Sequence, residues 1–258
     1  MSRLPTLPQL AEISAYADGV YREIQTTNPY VACLWTSAGA PTPRRILPDA
    51  CVDIVWTGAK LIVAGPATQA AMATAPGPAL GLRFRVGAAG AALGIPASEL
   101  LDLSVPLEDV WGADGAEIAQ TVAERPTLSV LAQKVGTKIA RGDAPDWLVR
   151  AAATGARPGI GERQLRRRFA DAVGYGPKTL QRILRFQRFL ALAQQTAAPD
   201  LARLALDAGY ADQAHLTRET RRLAGIPPAA LLASGAGPAG ERSVSFKTSG
   251  PVAATLAA

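Results

Sequence analysis

The sequence predicts an α+β chain: a β-rich N-terminal domain with following helices, then an all-α tandem helix-turn-helix domain. Three observations carry that prediction. Short β-branched or aromatic runs, separated by Pro- and Gly-rich pieces, fill the first third. A helical segment then repeats itself: shifted by 51 residues, IGERQLRRRFADAVGYGPKTL (Ile160–Leu180) falls on ADQAHLTRETRRLAGIPPAAL (Ala211–Leu231). The charge is segregated as well. Between Gly142 and Ser234 there are 14 Lys+Arg against 8 Asp+Glu, whereas residues 1–141 hold 11 against 12 and the tail from Gly235 holds 2 against 1. The whole formal excess of +6 therefore sits on the segment that carries the repeat.

The N-terminal domain is expected over 1–141. Tyr30–Trp35, Cys51–Trp56, Lys60–Val63 and Ala79–Val86 read as strands, divided by GAPTP (Gly39–Pro43) and APGP (Ala75–Pro78). Short helical pieces follow at Ala88–Leu93 and Ser98–Leu101, then a better helix over Ala113–Glu124 that Pro126 breaks. Leu128, Leu131, Val135 and Ile139 recur at helical spacing and predict an amphipathic helix over Leu128–Ile139. RGDAP (Arg141–Pro145) reads as the linker.

The DNA-binding domain is expected over 142–234. In the second copy, Leu201, Leu204, Ala205 and Ala208 form an apolar stripe on a helix that starts near Asp200 and stops at Gly209. Asp212 is a good N-cap for the next helix, in which Leu216 and Leu223 face inward while Gln213, Thr217, Arg218 and Arg221 face out. Helix, tight turn and second helix with basic exposure make a helix-turn-helix. Between the copies, Thr179–Gln195 carries enough Leu, Ile and Phe to be a core helix. At about 1.5 Å per residue it is roughly 25 Å long, the scale needed to hold two reading helices about one DNA turn apart. The tail, 235–258, is Gly-, Ala-, Ser- and Pro-rich and predicts disorder.

GERQLRRRF (Gly161–Phe169), VGYGPKTL (Val173–Leu180), RILRFQRFLAL (Arg182–Leu192) and GYADQAHLTRE (Gly209–Glu219) resemble the double helix-turn-helix domain of AraC/XylS-type transcriptional regulators. LPDACVDIVW (Leu47–Trp56), GLRFRVGAAGAALG (Gly81–Gly94) and VPLEDVWG (Val105–Gly112) resemble an uncharacterised domain that often precedes it in bacterial regulators. The resemblance implies sequence-specific control of transcription. It implies that Arg163, Arg166 and Arg167, with Glu162 beside them, and Gln213, Thr217 and Arg218 meet base edges. Side-chain chemistry agrees: Arg clamps guanine N7/O6, Gln pairs with adenine N6/N7, and Thr touches the thymine methyl. Arg182, Arg185, Arg221 and Arg222 are expected on phosphates, where they position the protein without specifying sequence. The implied partners are double-stranded DNA, RNA polymerase, a small-molecule effector sensed by the N-terminal domain, and a second copy of the chain.

The first copy departs from that pattern. Where a supporting helix should run, the chain reads TGARPG (Thr154–Gly159), and Gly161 stands at the usual Ser-type N-cap. Either Asp146–Ala153 stands in, or the first unit is poorly propped and the second supplies more of the sequence discrimination. Thr220 occupies the place of Phe169, so looser packing is expected there.

Other chemistry is poorly supplied. Cys33 and Cys51 are the only cysteines and His215 the only histidine, so no metal set, disulfide framework or catalytic group is expected, nor any cofactor. This argues against an enzyme, including the DNA-repair alkyl-transfer type that fuses such DNA-binding helices to a zinc-held cysteine. An interaction module with weakened DNA binding is the other alternative. His215 is read as a packing or backbone-contacting residue. For a ligand site the candidates are Trp35, Trp56, Arg83 and Arg85, set against core packing for the tryptophans and strand ion pairs for the arginines. The N-terminus lacks a signal-like apolar run and no stretch is long enough to span a bilayer, so no membrane association and a cytoplasmic, nucleoid-associated location are expected.

Overall fold

A computed structural model describes residues 21–38, 40–75, 77–140, 143–153, 159–195, 200–235 and 244–245. The N-terminal part is built on strands β1 (Arg22–Gln25), β2 (Val31–Ser37), β3 (Ala40–Ile46), β4 (Asp53–Trp56), β5 (Leu61–Ala64), β6 (Ala71–Ala75), β7 (Ala79–Phe84) and β8 (Ser104–Pro106). Six of them form an antiparallel sheet in the order β1-β2-β7-β4-β5-β8. The four strand-like runs of the sequence are β2, β4, β5 and β7, adjacent in the middle of this sheet. Central strands are covered on both faces and so read as continuous apolar segments; in β2 every residue from Val31 to Thr36 is buried.

The edges β1 and β8 are not among the strands the sequence predicts, nor is a second sheet, in which β6 pairs β3 antiparallel and β9 (Val244–Ser245) pairs β3 in parallel. APTPRRI and AMATA are richer in Pro, Arg and Ala than in β-branched residues, so pairing rather than propensity makes them strands. The expected disordered tail lies outside the described residues except for Gly235 and β9. Thr154–Pro158, the part of the first copy that lacks helical character, also lies outside them.

Helices α1 (Ala89–Leu93), α2 (Leu107–Glu124) and α3 (Leu128–Ile139) follow, with a 3-10 turn at Ala97–Leu100. The helix expected from Ala113 begins earlier, at Leu107, and bends where Gly112 takes φ 58°. Leu107, Trp111, Ile118 and Val122 of α2 and Leu128, Leu131, Val135 and Ile139 of α3 close a core with Leu34, Ile54, Leu82 and Phe84 of the sheet. The Trp111 indole N–H donates to the Leu93 carbonyl at 2.9 Å, which satisfies its one polar atom.

Six helices make the C-terminal part: α4 (Trp147–Ala153), α5 (Glu162–Val173), α6 (Pro177–Gln194), α7 (Leu201–Ala208), α8 (Gln213–Ala224) and α9 (Pro228–Gly235). Their core contains Phe169, Phe186, Phe189, Leu190, Leu216 and Leu223, and Leu47 and Ala50 from the N-terminal part belong to it. Ala70, Val86 and Leu101 pack against it as well. The second core thus draws residues from both parts of the chain. Among the described residues no helix is long and apolar enough to cross a membrane, and no cluster of His, Cys, Asp and Glu could hold a metal ion.

Candidate nucleic-acid interface

The second unit is fixed by its turn chemistry. The Asp200 carboxylate accepts from the backbone N–H groups of Ala202 (2.9 Å) and Arg203 (3.4 Å) and starts α7. Gly209 ends that helix at φ 90°, and the Tyr210 N–H returns to the Ala205 carbonyl at 2.8 Å. Asp212 then caps α8, accepting from the His215 N–H at 2.6 Å. His215 accepts from the Ala211 N–H through Nδ1 at 3.3 Å and meets the Tyr210 ring edge-on at 5.2 Å. Its role is the structural one the sequence suggested.

Leu216, Thr220, Leu223 and Ala224 turn inward from α8, leaving Gln213, Ala214, Arg218, Arg221 and Arg222 exposed. Thr217 is half-buried, and its hydroxyl donates to the Gln213 carbonyl at 2.8 Å. Thr220 is fully buried and its hydroxyl has no hydrogen-bond partner.

The first unit is organised differently. The chain uses Asp146–Ala153 as its support: Asp146 accepts from the Leu148 N–H at 2.9 Å to start α4, and Val149 is fully buried in the shared core. Arg168 of α5 pairs with Asp146 at 3.4 Å, tying α5 to that support. Gly161 precedes α5 with no side-chain cap, as expected. Arg163, Gln164, Arg166 and Arg167 are exposed along one face. Arg166 pairs with Glu162 one turn away at 2.6 Å, an exposed pair worth only about 0.3–0.5 kcal/mol and readily exchanged for a DNA contact. Arg163 and Arg167 have no ion-pair partner among the described residues.

Arg182 and Arg185 lie on α6 and are engaged inside the domain. Arg182 pairs with Glu219 of α8 at 2.6 Å, and the Arg185 guanidinium sits 5.5 Å from the Tyr210 ring centroid. Both join the core helix to the second unit. A groove of about 290 Å³ lies beside them, lined by Thr68, Gln69, Thr179, Arg182, Arg222 and Leu223.

The candidate ligand residues lie elsewhere. Arg83 is buried at the centre of three carboxylates: it donates to Asp53 at 3.0 and 3.1 Å, and lies 3.3 Å from Glu23 and 3.5 Å from Asp49. Burial opposes its charge, but Asp53, with Cys51 and Asp49, outweighs that and raises its pKa above the ordinary value. Arg85 lies beyond the end of β7 and donates to the Asn28 carbonyl at 2.8 Å and to that of Thr26, so it binds backbone. The Trp35 indole packs against Gly81, where a Cβ would come within 2.3 Å of it, and Trp56 is buried in the first core.

Residues 155–234 match the family described as a helix-turn-helix domain. The C-terminal helices are an AraC-type helix-turn-helix domain. Residues 25–106, ahead of that AraC-type domain, match a domain of unknown function. Among solved structures, apo ToxT of Vibrio cholerae is similar at 12% identity, over 81% of this chain and 99% of that one, with a TM-score of 0.38. No curated protein matches the chain. With its AraC-type domain the chain is a DNA-binding transcription regulator.

Proposed function

We propose that the chain controls transcription of specific bacterial genes by laying α5 and α8 in two successive major-groove segments. One observation carries this reading: two helices in the same repeat register, each ended by a left-handed glycine (Gly174, Gly225), both present exposed arginines on the outer face. Arg163, Arg166 and Arg167 of α5 and Gln213, Thr217 and Arg218 of α8 meet base edges, while Arg221 and Arg222 meet phosphates. Arg182 and Arg185 reach phosphates only by giving up their contacts to Glu219 and Tyr210. The N-terminal domain takes the small-molecule effector or a second copy of the chain, and RNA polymerase is the downstream partner.

Selection of binding sites from random DNA, followed by titration in salt, tests this. About 5–7 phosphate contacts give a slope of log K against log salt near −5. Arg218→Ala costs about 1–3 kcal/mol on the selected site and relaxes preference at one base pair. Arg222→Ala weakens binding to all sequences alike. A salt slope near zero, with no sequence enriched, would rule the reading out.

A further inference from the structure

Both reading helices end against the N-terminal domain. At the end of α8, the Ala70 N–H donates to the Leu223 carbonyl at 2.7 Å, and the Arg45 guanidinium donates to the Ala224 carbonyl, also at 2.7 Å. The last carbonyls of a helix have no partner within it and carry its partial negative charge, so a cation and an N–H there satisfy both needs. At the end of α5 the fit is steric. A Cβ on Gly90 of α1 would come 2.1 Å from the Asp171 carbonyl oxygen, so only glycine allows this approach. Gly174, the stop of α5 at φ 94°, faces Pro66 and the Ala97 carbonyl, where a Cβ would come within 2.3 and 3.1 Å. On α6, Gln187 also donates to the N-terminal part, to the Pro48 carbonyl at 2.5 Å.

We propose that the N-terminal domain is the brace that sets both reading helices, with Arg45 the positioning residue for α8 and Gly90 the position that seats α5. This deepens the DNA-reading assignment and rests on it. Each helix is held at its C-terminal end and offers its first two turns to DNA, with Arg163, Arg166 and Arg167 on α5 and Gln213, Thr217 and Arg218 on α8. A tilt at the braced end moves the reading end, and base contacts tolerate such movement less than phosphate contacts do. The brace also makes good the first unit's short support, so in the whole chain both halves of the operator are read. An effector that shifts the loop 66–70 or strand β3 would alter reading without touching DNA.

The test uses the full chain and its selected operator, with the half read by α8 identified as the one relaxed by Arg218→Ala. Arg45→Met is expected to cut discrimination in that half about tenfold, to leave the α5 half unchanged and to speed hydrogen exchange at 220–225 in the free protein. Arg45→Lys, which keeps a donor cation at the helix end, is expected to restore most of it. Gly90→Val is expected to give the mirror result, with loss in the α5 half and faster exchange in α5. Gly77→Ala, in open space, serves as the unchanged control. The brace is overturned if Arg45→Met leaves both halves and the exchange of α8 as they were, or weakens both halves equally. If the unaltered chain selects no sequence, the DNA-reading assignment fails, and the exchange measurements still decide the brace on their own.

Discussion

At the scale of single residues, buried polar atoms decide the sharpest outcomes. Thr220 is fully buried with an unpartnered hydroxyl where the first unit has Phe169. Thr220→Val keeps the shape and removes the desolvated group, so it should stabilise the protein by about 1 kcal/mol, read as a raised melting temperature. A lower melting temperature would mean the hydroxyl is satisfied. Arg83 behaves in the opposite way. Removing it takes the shared cation from Glu23, Asp49 and Asp53, whereas removing one carboxylate leaves it two others. Arg83→Met should therefore cost about 3–5 kcal/mol, and Asp53→Asn clearly less, in denaturant titrations. Equal losses would contradict the three-carboxylate arrangement. Tyr175 and Tyr210 hold their protons because burial raises both pKa values above the ordinary phenol value. Raised folded values mean that this contribution is complete below the unfolded pKa, roughly 10, and is lost as pH climbs beyond it. Stability measured upward from pH 9 should fall accordingly, and less so in Tyr175→Phe.

At the scale of elements, caps and edges separate what sequence shows from what it hides. Asp212 is legible because its partner, the His215 N–H, is three residues away. Asp212→Ala should destabilise α8 by about 1 kcal/mol and lower operator affinity more than Asp200→Ala does, since Asp200 caps the supporting helix. Equal losses of affinity would make α7 as important as α8 for reading. The repeat, the glycine stops and the four central strands were legible for the same reason: each is specified by neighbours in sequence. The second sheet was not, because APTPRRI and AMATA owe their conformation to partners across it. Arg45 gave no signal at all, since the carbonyl it caps is 179 residues away. Gly90 sits in an Ala-Gly run and looks like composition until Asp171 is brought against it. Arg182 and Arg185 were legible as basic residues on a helix, but their engagement with Glu219 and Tyr210 depends on how α6 packs against the second unit.

At the scale of the whole molecule, the two cores are not independent. Leu47 and Ala50 lie inside the helical core, and Ala70, Val86 and Leu101 pack on it, so separating the parts would expose apolar surface on both. The chain should melt in one cooperative transition, with calorimetric and van't Hoff enthalpies equal, rather than in two steps. Two resolved transitions would show that the shared interior is weaker than its composition implies. The seats of α5 and α8 bear on how the chain is made. Gly90, Pro66, Ala70 and Arg45 all precede the helices they hold. On the ribosome, where N-terminal regions fold first, the seats emerge before the helices that dock on them. In refolding from denaturant that order is lost, and the docking of α5 and α8 becomes a late search across long sequence separations. Chain elongation itself then acts as the assembly guide, and protein recovered from inclusion bodies should regain helix content sooner than operator recognition.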